Sequence, residues 1–471
     1  MPSPEAQARE NAALHRQSDI LMNLRLRNGR VSTTTLEELQ GAARGTVPWR
    51  AGVVSSATRR RRTLAVALLV IAGSVNYLDR SAVSVGNPEI RSALHLSFTE
   101  MGLLLSAFAW AYGLAQIPAG AAVDRFGPRR TLGLGLVLWS VAQIAAGFVA
   151  SLGQFIAARV ALGLGESPMY IGGTRVCADW YPLKSRALPI GIFNSSSALA
   201  PALAPPLLTL LMLEFGWRAM FILAGAAGFA IALAWITLYR DPAQADVPAE
   251  DIAIIQAEDA GGAAQTGFAQ VLLLLRYRTT WGMFLGFFGV VYLSWLYATW
   301  LPGYLETQRH LSVASAGIWS SVPLAAGFLG ALAGGFISDK LGRAGLDASA
   351  ACRLPIIAGL VMAAACTVAG ALAGNTGVAI ALMAGGLFGA NVASSCGWAL
   401  AAVVAPGNCV ATLEAIQNIG GSAGGSLAPF ITGAVVQATG SFVPAFLLAG
   451  GIAVVCAGCY WLMAGRRIKA G

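Results

Sequence analysis

Charged residues are scarce in this sequence of 471 residues, and that scarcity excludes a soluble protein. Only 11% of the residues are Asp, Glu, Lys or Arg, whereas 56% are hydrophobic. Soluble domains carry about 25% charged residues, which cover an apolar core. A chain of this length and composition cannot cover the two or three cores that it would contain as a soluble protein. Its mean hydropathy of +0.66 therefore indicates a membrane protein with many spans.

Paired cysteines and clustered histidines are also lacking. The seven cysteines have no framework spacing, which excludes a disulfide scaffold. Cys456 and Cys459 form a CxxC motif, but it lies in an apolar run without a second ligand pair, so a zinc or redox role is disfavoured. His15, His95 and His310 all lie outside the apolar runs, and no nucleophile–base pair is apparent. We therefore expect no enzyme, no metal and no cofactor.

The N-terminal segment, residues 1–62, is polar and lacks the apolar stretch of a signal peptide. It ends in the basic cluster Arg59–Arg62, directly before the first apolar run. A disordered cytosolic tail and an over-extended translation start both fit this composition better than a folded domain does. We expect the tail.

Apolar stretches dominate the chain from Thr63 onward. A helix needs about 20 residues to cross about 30 Å of hydrocarbon. The longest polar gap, residues 240–278, separates six such stretches from six more and indicates a cytosolic linker. The sequence thus predicts an all-α membrane protein with twelve transmembrane helices, in two pseudo-symmetric six-helix bundles at residues 63–239 and 279–465. The predicted spans are 63–87, 99–122, 130–150, 152–177, 187–212, 217–239, 279–304, 313–337, 352–374, 376–404, 409–435 and 441–464.

The distribution of lysine and arginine predicts the orientation. If the N-terminus lies in the cytosol, eighteen basic residues near the span ends fall inside and three, Arg91, Arg218 and Arg309, fall outside. The positive-inside rule therefore places both termini in the cytosol. The net charge of +9 reflects this bias and the basic tail. It is no indication of nucleic-acid binding.

The pattern G-x-x-x-D-[RK]-x-G occurs twice, at Gly120–Gly127 and at Gly335–Gly342, 215 residues apart. Each copy follows the second span of its half, at a predicted cytosolic turn, which supports an internal duplication. Charged side chains at these turns are candidates for a gate that pairs with helix ends. The candidates are Asp124, Arg125, Arg130, Asp339 and Arg343.

The first copy of the loop extends to Arg130 and reads GAAVDRFGPRR. Five further segments stand out: NYLDR (76–80), SAFAWAYGLAQIP (106–118), RVALGLGESP (159–168), DWYPLKSR (179–186) and WRAMF (217–221). The loop resembles the signature of the major facilitator superfamily, and the five segments resemble its anion:cation symporter family. The likeness covers about residues 63–465 and implies a proton-coupled transporter of organic anions such as sugar acids, in the bacterial inner membrane.

Four ionisable residues lie deep inside the predicted spans: Asp79, Arg80, Arg159 and Glu166. Each charge at the bilayer centre costs about 2.5–3.5 kcal/mol, so such residues face the bundle interior and are usually functional. Span one runs outward and span four inward, which places Arg80 and Arg159 at the same level. Glu166 lies seven residues beyond Arg159, on the same helix face and about 10 Å deeper. We expect all four to line one wall of a cavity.

These residue types suggest proton-coupled anion transport. Lack of water disfavours an ionised carboxylate, so Asp79 and Glu166 are suited to take up and release protons. Arginine stays charged and offers a planar fork that matches a carboxylate, so Arg80 and Arg159 are suited to bind the anion. The resemblance implies the same roles. Structural salt bridges between the helices are the alternative, above all for Arg159, which would then neutralise Asp79.

Other polar side chains inside the spans are weaker candidates for substrate binding. The resemblance implies a hydroxyl-binding role for Tyr112 and a binding role for Asn418, although a packing role for Tyr112 fits equally well. The remaining candidates are Asn76, Tyr77, Gln116 and Trp398. Span seven is apolar around residues 287–291, where sugar-acid transporters tend to offer polar ligands, which argues against a heavily hydroxylated substrate.

The leading hypothesis is therefore a monomeric proton symporter that imports a small carboxylated solute by alternating access. A proton-coupled exporter of drugs or metabolites shares the fold, but the arginines in the cavity argue against it. A transporter-like sensor is the third possibility, and the polar tail does not resemble a signalling domain. The expected partners are the anion, protons and the lipid bilayer.

Overall fold

A computed structural model describes residues 54–182, 185–248, 250–252, 255, 268–405, 409–465 and 468. The described part of the chain is almost entirely helical and contains no strand. The predicted tail, up to residue 53, lies outside it, as do residues 256–267 of the linker. Numbered in chain order, the helices are α1 (Ser56–Val85), α2 (Asn87–Leu94), α3 (Phe98–Phe126), α4 (Pro128–Ala146), α5 (Leu152–Glu166), α6 (Pro168–Trp180), α7 (Ala187–Leu238), α8 (Phe268–Leu274), α9 (Arg278–Thr307), α10 (Val313–Arg343), α11 (Ala348–Leu372), α12 (Thr376–Val404), α13 (Val410–Thr439) and α14 (Val443–Met463).

Within the described residues, nine helices are long and apolar enough to cross a membrane. One of them, α7, contains two spans, because Gly216 adopts a φ of +79° and kinks the helix there. Helix α4 and the pair α5–α6 supply the other two of the twelve predicted spans. The prediction of an all-α protein with twelve spans is confirmed. We call α1–α7 the first bundle and α9–α14 the second bundle.

The fourth span is broken, and the break positions a functional residue. Helix α5 ends at Glu166, and Pro168 starts α6 because proline fits the first helical turn. Two glycines let α5 approach its neighbours closely. A Cβ atom on Gly163 would lie 2.7 Å from the Phe108 carbonyl oxygen, and one on Gly165 would lie 2.7 Å from the Trp139 backbone nitrogen. Glu166 is thereby held deep in the first bundle.

The linker contacts the start of α1 through a buried aspartate. Asp251 is only 4% exposed and accepts hydrogen bonds from the Ser55 backbone N–H, at 3.0 Å, and from the Thr58 hydroxyl. Ser55 is itself the N-cap of α1. A carboxylate is favourable at a helix N-terminus, because the backbone N–H groups there lack partners within the helix. The sequence had indicated only a polar linker in this region.

Candidate functional site

The four intramembrane charges lie together, as the sequence predicted, and one salt bridge links the first and fourth spans. The Arg80 Nε donates a hydrogen bond of 2.8 Å to Glu166 Oε2. The Glu166 side chain is fully buried, and that of Arg80 is 13% exposed. Breaking such a buried pair would leave an uncompensated charge away from water. The pair therefore ties α1 to the end of α5.

Arg80 is held by aromatic rings as well as by Glu166. Its guanidinium carbon lies 4.9 Å from the ring centroids of Tyr77 and Phe108, and 4.7 Å from that of Tyr112. Cations are attracted to the faces of aromatic rings at such distances. Among the described residues, no side chain or carbonyl accepts a hydrogen bond from the two terminal nitrogens of Arg80. The rings and Glu166 therefore hold the guanidinium in place, while its two terminal nitrogens have no acceptor among the described residues.

Arg159 packs against the same aromatic ring as Arg80. Its guanidinium carbon is 5.0 Å from the Phe108 centroid. Its Nη1 donates to the backbone carbonyl of Asp79, at 3.4 Å, and not to the carboxylate. The structural alternative, in which Arg159 forms a salt bridge with Asp79, therefore does not describe this conformation.

Asp79 has the least compensated side chain in the site. It is fully buried, and neither carboxylate oxygen has a hydrogen-bond partner among the described residues. Its nearest charges are those of Glu166, Arg159 and Arg80. Asn76, one turn earlier on α1, is also fully buried and faces Glu166. The site thus combines two buried carboxyl groups with an arginine that offers free donors.

The second bundle reaches the site through one aromatic ring. Trp295 on α9 stacks against Phe108, with 6.2 Å between the centroids, so the bundles meet directly over the charged cluster. Trp398 on α12 is 40% exposed and packs edge-on against Phe287, at 5.3 Å. Asn418 on α13 is exposed. Neither Trp398 nor Asn418 contacts the four charges, so in this conformation the structure does not bring these two candidates to the cluster.

Two buried or half-buried polar residues inside the spans were not singled out by the sequence. Tyr170 lies one turn after Glu166, and its ring packs edge-on against Tyr77 with 6.4 Å between centroids. Gln417 precedes Asn418 and is fully buried, with no partner for its amide among the described residues. The spacing of four from Glu166 was a usable signal for Tyr170, whereas nothing in the sequence distinguished Gln417 from its neighbour.

The two bundles are joined at one end of the molecule, which we call the sealed end. There the Ser84 hydroxyl donates to the Thr299 carbonyl, at 2.8 Å, and the Phe98 N–H donates to the Gln437 side chain, at 3.0 Å. A Cβ atom on Gly433 would lie 2.3 Å from the Phe98 carbonyl oxygen. In the described part of the chain, these are the two hydrogen bonds that directly connect the bundles.

The opposite end, which we call the open end, carries the duplicated loops. Asp124 accepts a hydrogen bond of 3.3 Å from Arg175, which also bonds Asp179 at 2.9 Å. These contacts lie within the first bundle and join the loop to α6. Asp339 and Arg343 are exposed, and neither forms a salt bridge among the described residues.

The other two gating candidates are also at the open end. Arg125 packs over its neighbour Phe126, 5.3 Å from the ring centroid. Arg130 lies near Asp241, at the end of α7. Burial raises the pKa of the Asp241 carboxyl, and Arg129 and Arg130 oppose that increase. Charged groups on both sides of the α3–α4 turn therefore hold it to the first bundle.

The remaining polar candidates line the first bundle. Tyr112 stacks on Phe108, with 5.6 Å between centroids, besides contacting Arg80. Gln116 lies one turn further along α3 and is half-buried. Both are on α3, which runs past Arg80 towards the open end.

Comparisons with known proteins agree with this architecture. The family model of the Major Facilitator Superfamily matches residues 69–406. The chain is 39% identical to the "Probable L-galactonate transporter" of Escherichia coli over 89% of this chain and 93% of that protein. It is 31% identical to the "Probable galactarate/D-glucarate transporter" of Escherichia coli over 86% and 95% of the respective chains.

Two solved structures share the fold. A bacterial homologue of the human lysosomal transporter Spinster, in an inward-facing and unoccupied conformation, superimposes with a TM-score of 0.74 at 19% identity, over 87% of this chain and 99% of that one. The D-xylose-proton symporter superimposes with a TM-score of 0.67 at 12% identity, over 86% and 98%. With twelve spans, a duplicated loop motif, and both a family model and full-length relatives that match, the chain belongs to the major facilitator superfamily and is a multi-pass membrane transporter.

Proposed function

We propose that this protein is a proton-coupled symporter that imports a small organic anion, a sugar acid or a related carboxylate, by alternating access. One observation carries the proposal. Arg80, whose terminal nitrogens form no hydrogen bond among the described residues, lies beside two fully buried carboxyl groups at the interface of the bundles. An anion site and a proton site are therefore neighbours, which is what coupling between the two requires.

Arg80 binds the carboxylate of the solute in this proposal. Because Glu166 occupies Nε, the fork presents its terminal nitrogens, and a guanidinium binds a carboxylate best through two parallel hydrogen bonds. The rings of Tyr77, Phe108 and Tyr112 hold the guanidinium in place, so little side-chain freedom is lost on binding. Tyr112 and Gln116 are placed to bind hydroxyl groups of the same solute.

Asp79 carries the coupled proton. A fully buried carboxyl group without a hydrogen-bond donor is stable only when it is uncharged, because nothing replaces the water around the ion. Glu166 is the second proton site, since binding of an anion to Arg80 weakens the salt bridge that stabilises its ionised form. Protonation and anion binding then favour each other, as symport requires.

Alternating access follows from the sealed and open ends. The positive-inside rule assigns the open end, with the loops of Asp124 and Asp339, to the cytosol. The conformation described above is then inward-open. For uptake, the contacts at the sealed end must separate while the loops of the two bundles approach each other. The predicted gating residues lie on those loops, which supports their assignment to closure of the inner side.

The names of the relatives support a sugar acid as the solute. Three acids occur in the two names given above: L-galactonate, galactarate and D-glucarate. Each offers a carboxylate for Arg80 and several hydroxyl groups. The apolar stretch of α9 offers no partner for those hydroxyls. In this proposal they bind to the first bundle and to polar groups such as Asn418 on α13.

Uptake into proteoliposomes tests the proposal. Vesicles with an inward proton gradient would be offered aldonates, aldarates, hexuronates and simple aromatic carboxylates, each in radiolabelled form. We expect accumulation of at least one sugar acid above its equilibrium level, and loss of accumulation when a protonophore is added. Uptake that stops at the equilibrium level and does not respond to the proton gradient would refute proton coupling. Export of cationic drugs with no uptake of any acid would favour the exporter instead.

A further inference from the structure

Two carboxyl groups from different bundles lie beside the helix contact at the sealed end. Glu89 is on α2 of the first bundle, and Glu306 is in the last turn of α9 of the second. These helices pack together: a Cβ atom on Gly303 would lie 3.3 Å from the Asn87 side-chain nitrogen. Glu89 follows Asn87 by two positions, and Glu306 follows Gly303 by three. The charge of Glu89 acts repulsively on the Glu306 carboxylate.

Among the residues that the structure describes, no cation forms a salt bridge with the pair. Both side chains are half-buried, and neither takes part in a hydrogen bond or salt bridge among the described residues. The nearest basic residue on α2, Arg91, is turned onto the Phe98 ring, 3.4 Å from its centroid. Arg309, just after α9, donates instead to the Tyr304 hydroxyl and to carbonyls at the end of α11. The two acids therefore interact with each other and with little else.

The other titratable groups at this end are also directed elsewhere. Glu100 is bonded to Ser97 in the capping box of α3. His95, which follows the last residue of α2, and His310, in the turn after α9, are both exposed. Burial raises the pKa of the Glu89 carboxyl above its usual range. When both acids are ionised, their repulsion acts directly across the contact that joins the bundles.

We propose that Glu89 and Glu306 form a proton-sensitive latch, which allows the sealed end to stay closed when the pair holds a proton and opens it when both carboxylates are ionised. This inference rests on the alternating access proposed above. It is separate from coupling at Asp79 and Glu166, because the latch pair lies at the end of the molecule rather than at the central site. An acidic exterior would then favour closure of the outer side behind a bound solute.

A distance measurement without substrate tests the latch. Spin labels at Ser92→Cys on α2 and Ala438→Cys on α13, both exposed positions, report the separation of the bundles at the sealed end. The native cysteines are replaced in this background, and the full-length protein is measured in lipid nanodiscs between about pH 5 and about pH 8. We expect a single short distance at the acidic limit, and a longer-distance population that rises about tenfold towards the basic limit.

Neutral variants and a matched control decide the outcome. With Glu306→Gln or Glu89→Gln, the short distance should persist over the whole pH range, whereas Glu306→Asp should keep the titration. Glu214→Gln changes an exposed glutamate beside the Gly216 kink, at the same end, and should follow the wild type. A wild-type distance that does not depend on pH, or a titration unchanged in both glutamine variants, would overturn the latch. Since no solute is used, a wrong assignment of the substrate would leave this result interpretable.

Discussion

Replacement of Arg80 by lysine tests the anion site most directly. Lysine keeps the positive charge beside the buried Glu166, so the variant should fold. It loses the planar fork, and it loses the guanidinium that packs against three aromatic rings. One hydrogen bond to a charged group contributes about 1.5–3 kcal/mol. Loss of one of the two bonds to a bound carboxylate should therefore raise KM about 10- to 150-fold.

The assay is initial-rate uptake of the accumulated acid into proteoliposomes, over a range of solute concentrations. Arg218→Lys is a matched control, because Arg218 also packs on an aromatic ring, 4.2 Å from the Trp217 centroid, but at the sealed end and away from the site. It should keep the wild-type KM. An Arg80→Lys protein with a wild-type KM would refute the role of the guanidinium fork in anion binding.

Three further predictions concern coupling, the sealed end and helix packing. Asp79→Asn should abolish accumulation driven by a proton gradient but retain exchange of solute across the membrane; wild-type accumulation would exclude Asp79 as a proton site. The pair Asn87→Cys and Gly303→Cys should form a disulfide, since a Cβ atom on Gly303 would lie 3.7 Å from the Asn87 Cβ, near the distance of about 3.8 Å in disulfides. Oxidation should stop uptake and a reductant restore it, whereas each single variant should be insensitive. Gly163→Ala should lower the free energy of unfolding by about 1–3 kcal/mol, measured as a lower melting temperature in detergent, and Gly153→Ala, which meets no atom within 4 Å, should not.

The spans and the duplication were predictable because their signals are local. About 20 apolar residues are needed wherever a helix crosses the bilayer, whatever its neighbours are. The intramembrane charges were also evident, since an ionised group in hydrocarbon is costly at any position in the fold. Even the common level of Arg80 and Arg159 followed from helix rise and span direction, and the structure places both guanidinium groups around the Phe108 ring.

Pairing among those charges was not predictable, because it depends on side-chain directions and on close helix contacts. Four charges of two signs allow several pairings, and the sequence named Arg159 with Asp79 only as the alternative to functional roles. The glycine contact of α5 with α3 and the break after Glu166 instead bring Glu166 to Arg80. Arg159 is left with a backbone carbonyl, and Asp79 with no partner among the described residues.

The sequence by itself determined that this chain is a twelve-span transporter. It also showed that two acids and two arginines lie deep inside the spans of its first half. Hydrophobic length, charge scarcity and a repeated loop are properties of consecutive residues, so they can be read without the fold. Only the tertiary structure decided which arginine has a free fork, which acid is unpaired and which end is sealed. Those features arise where residues far apart in the chain meet: Arg80 with Glu166, Phe108 with Trp295, and Glu89 with Glu306.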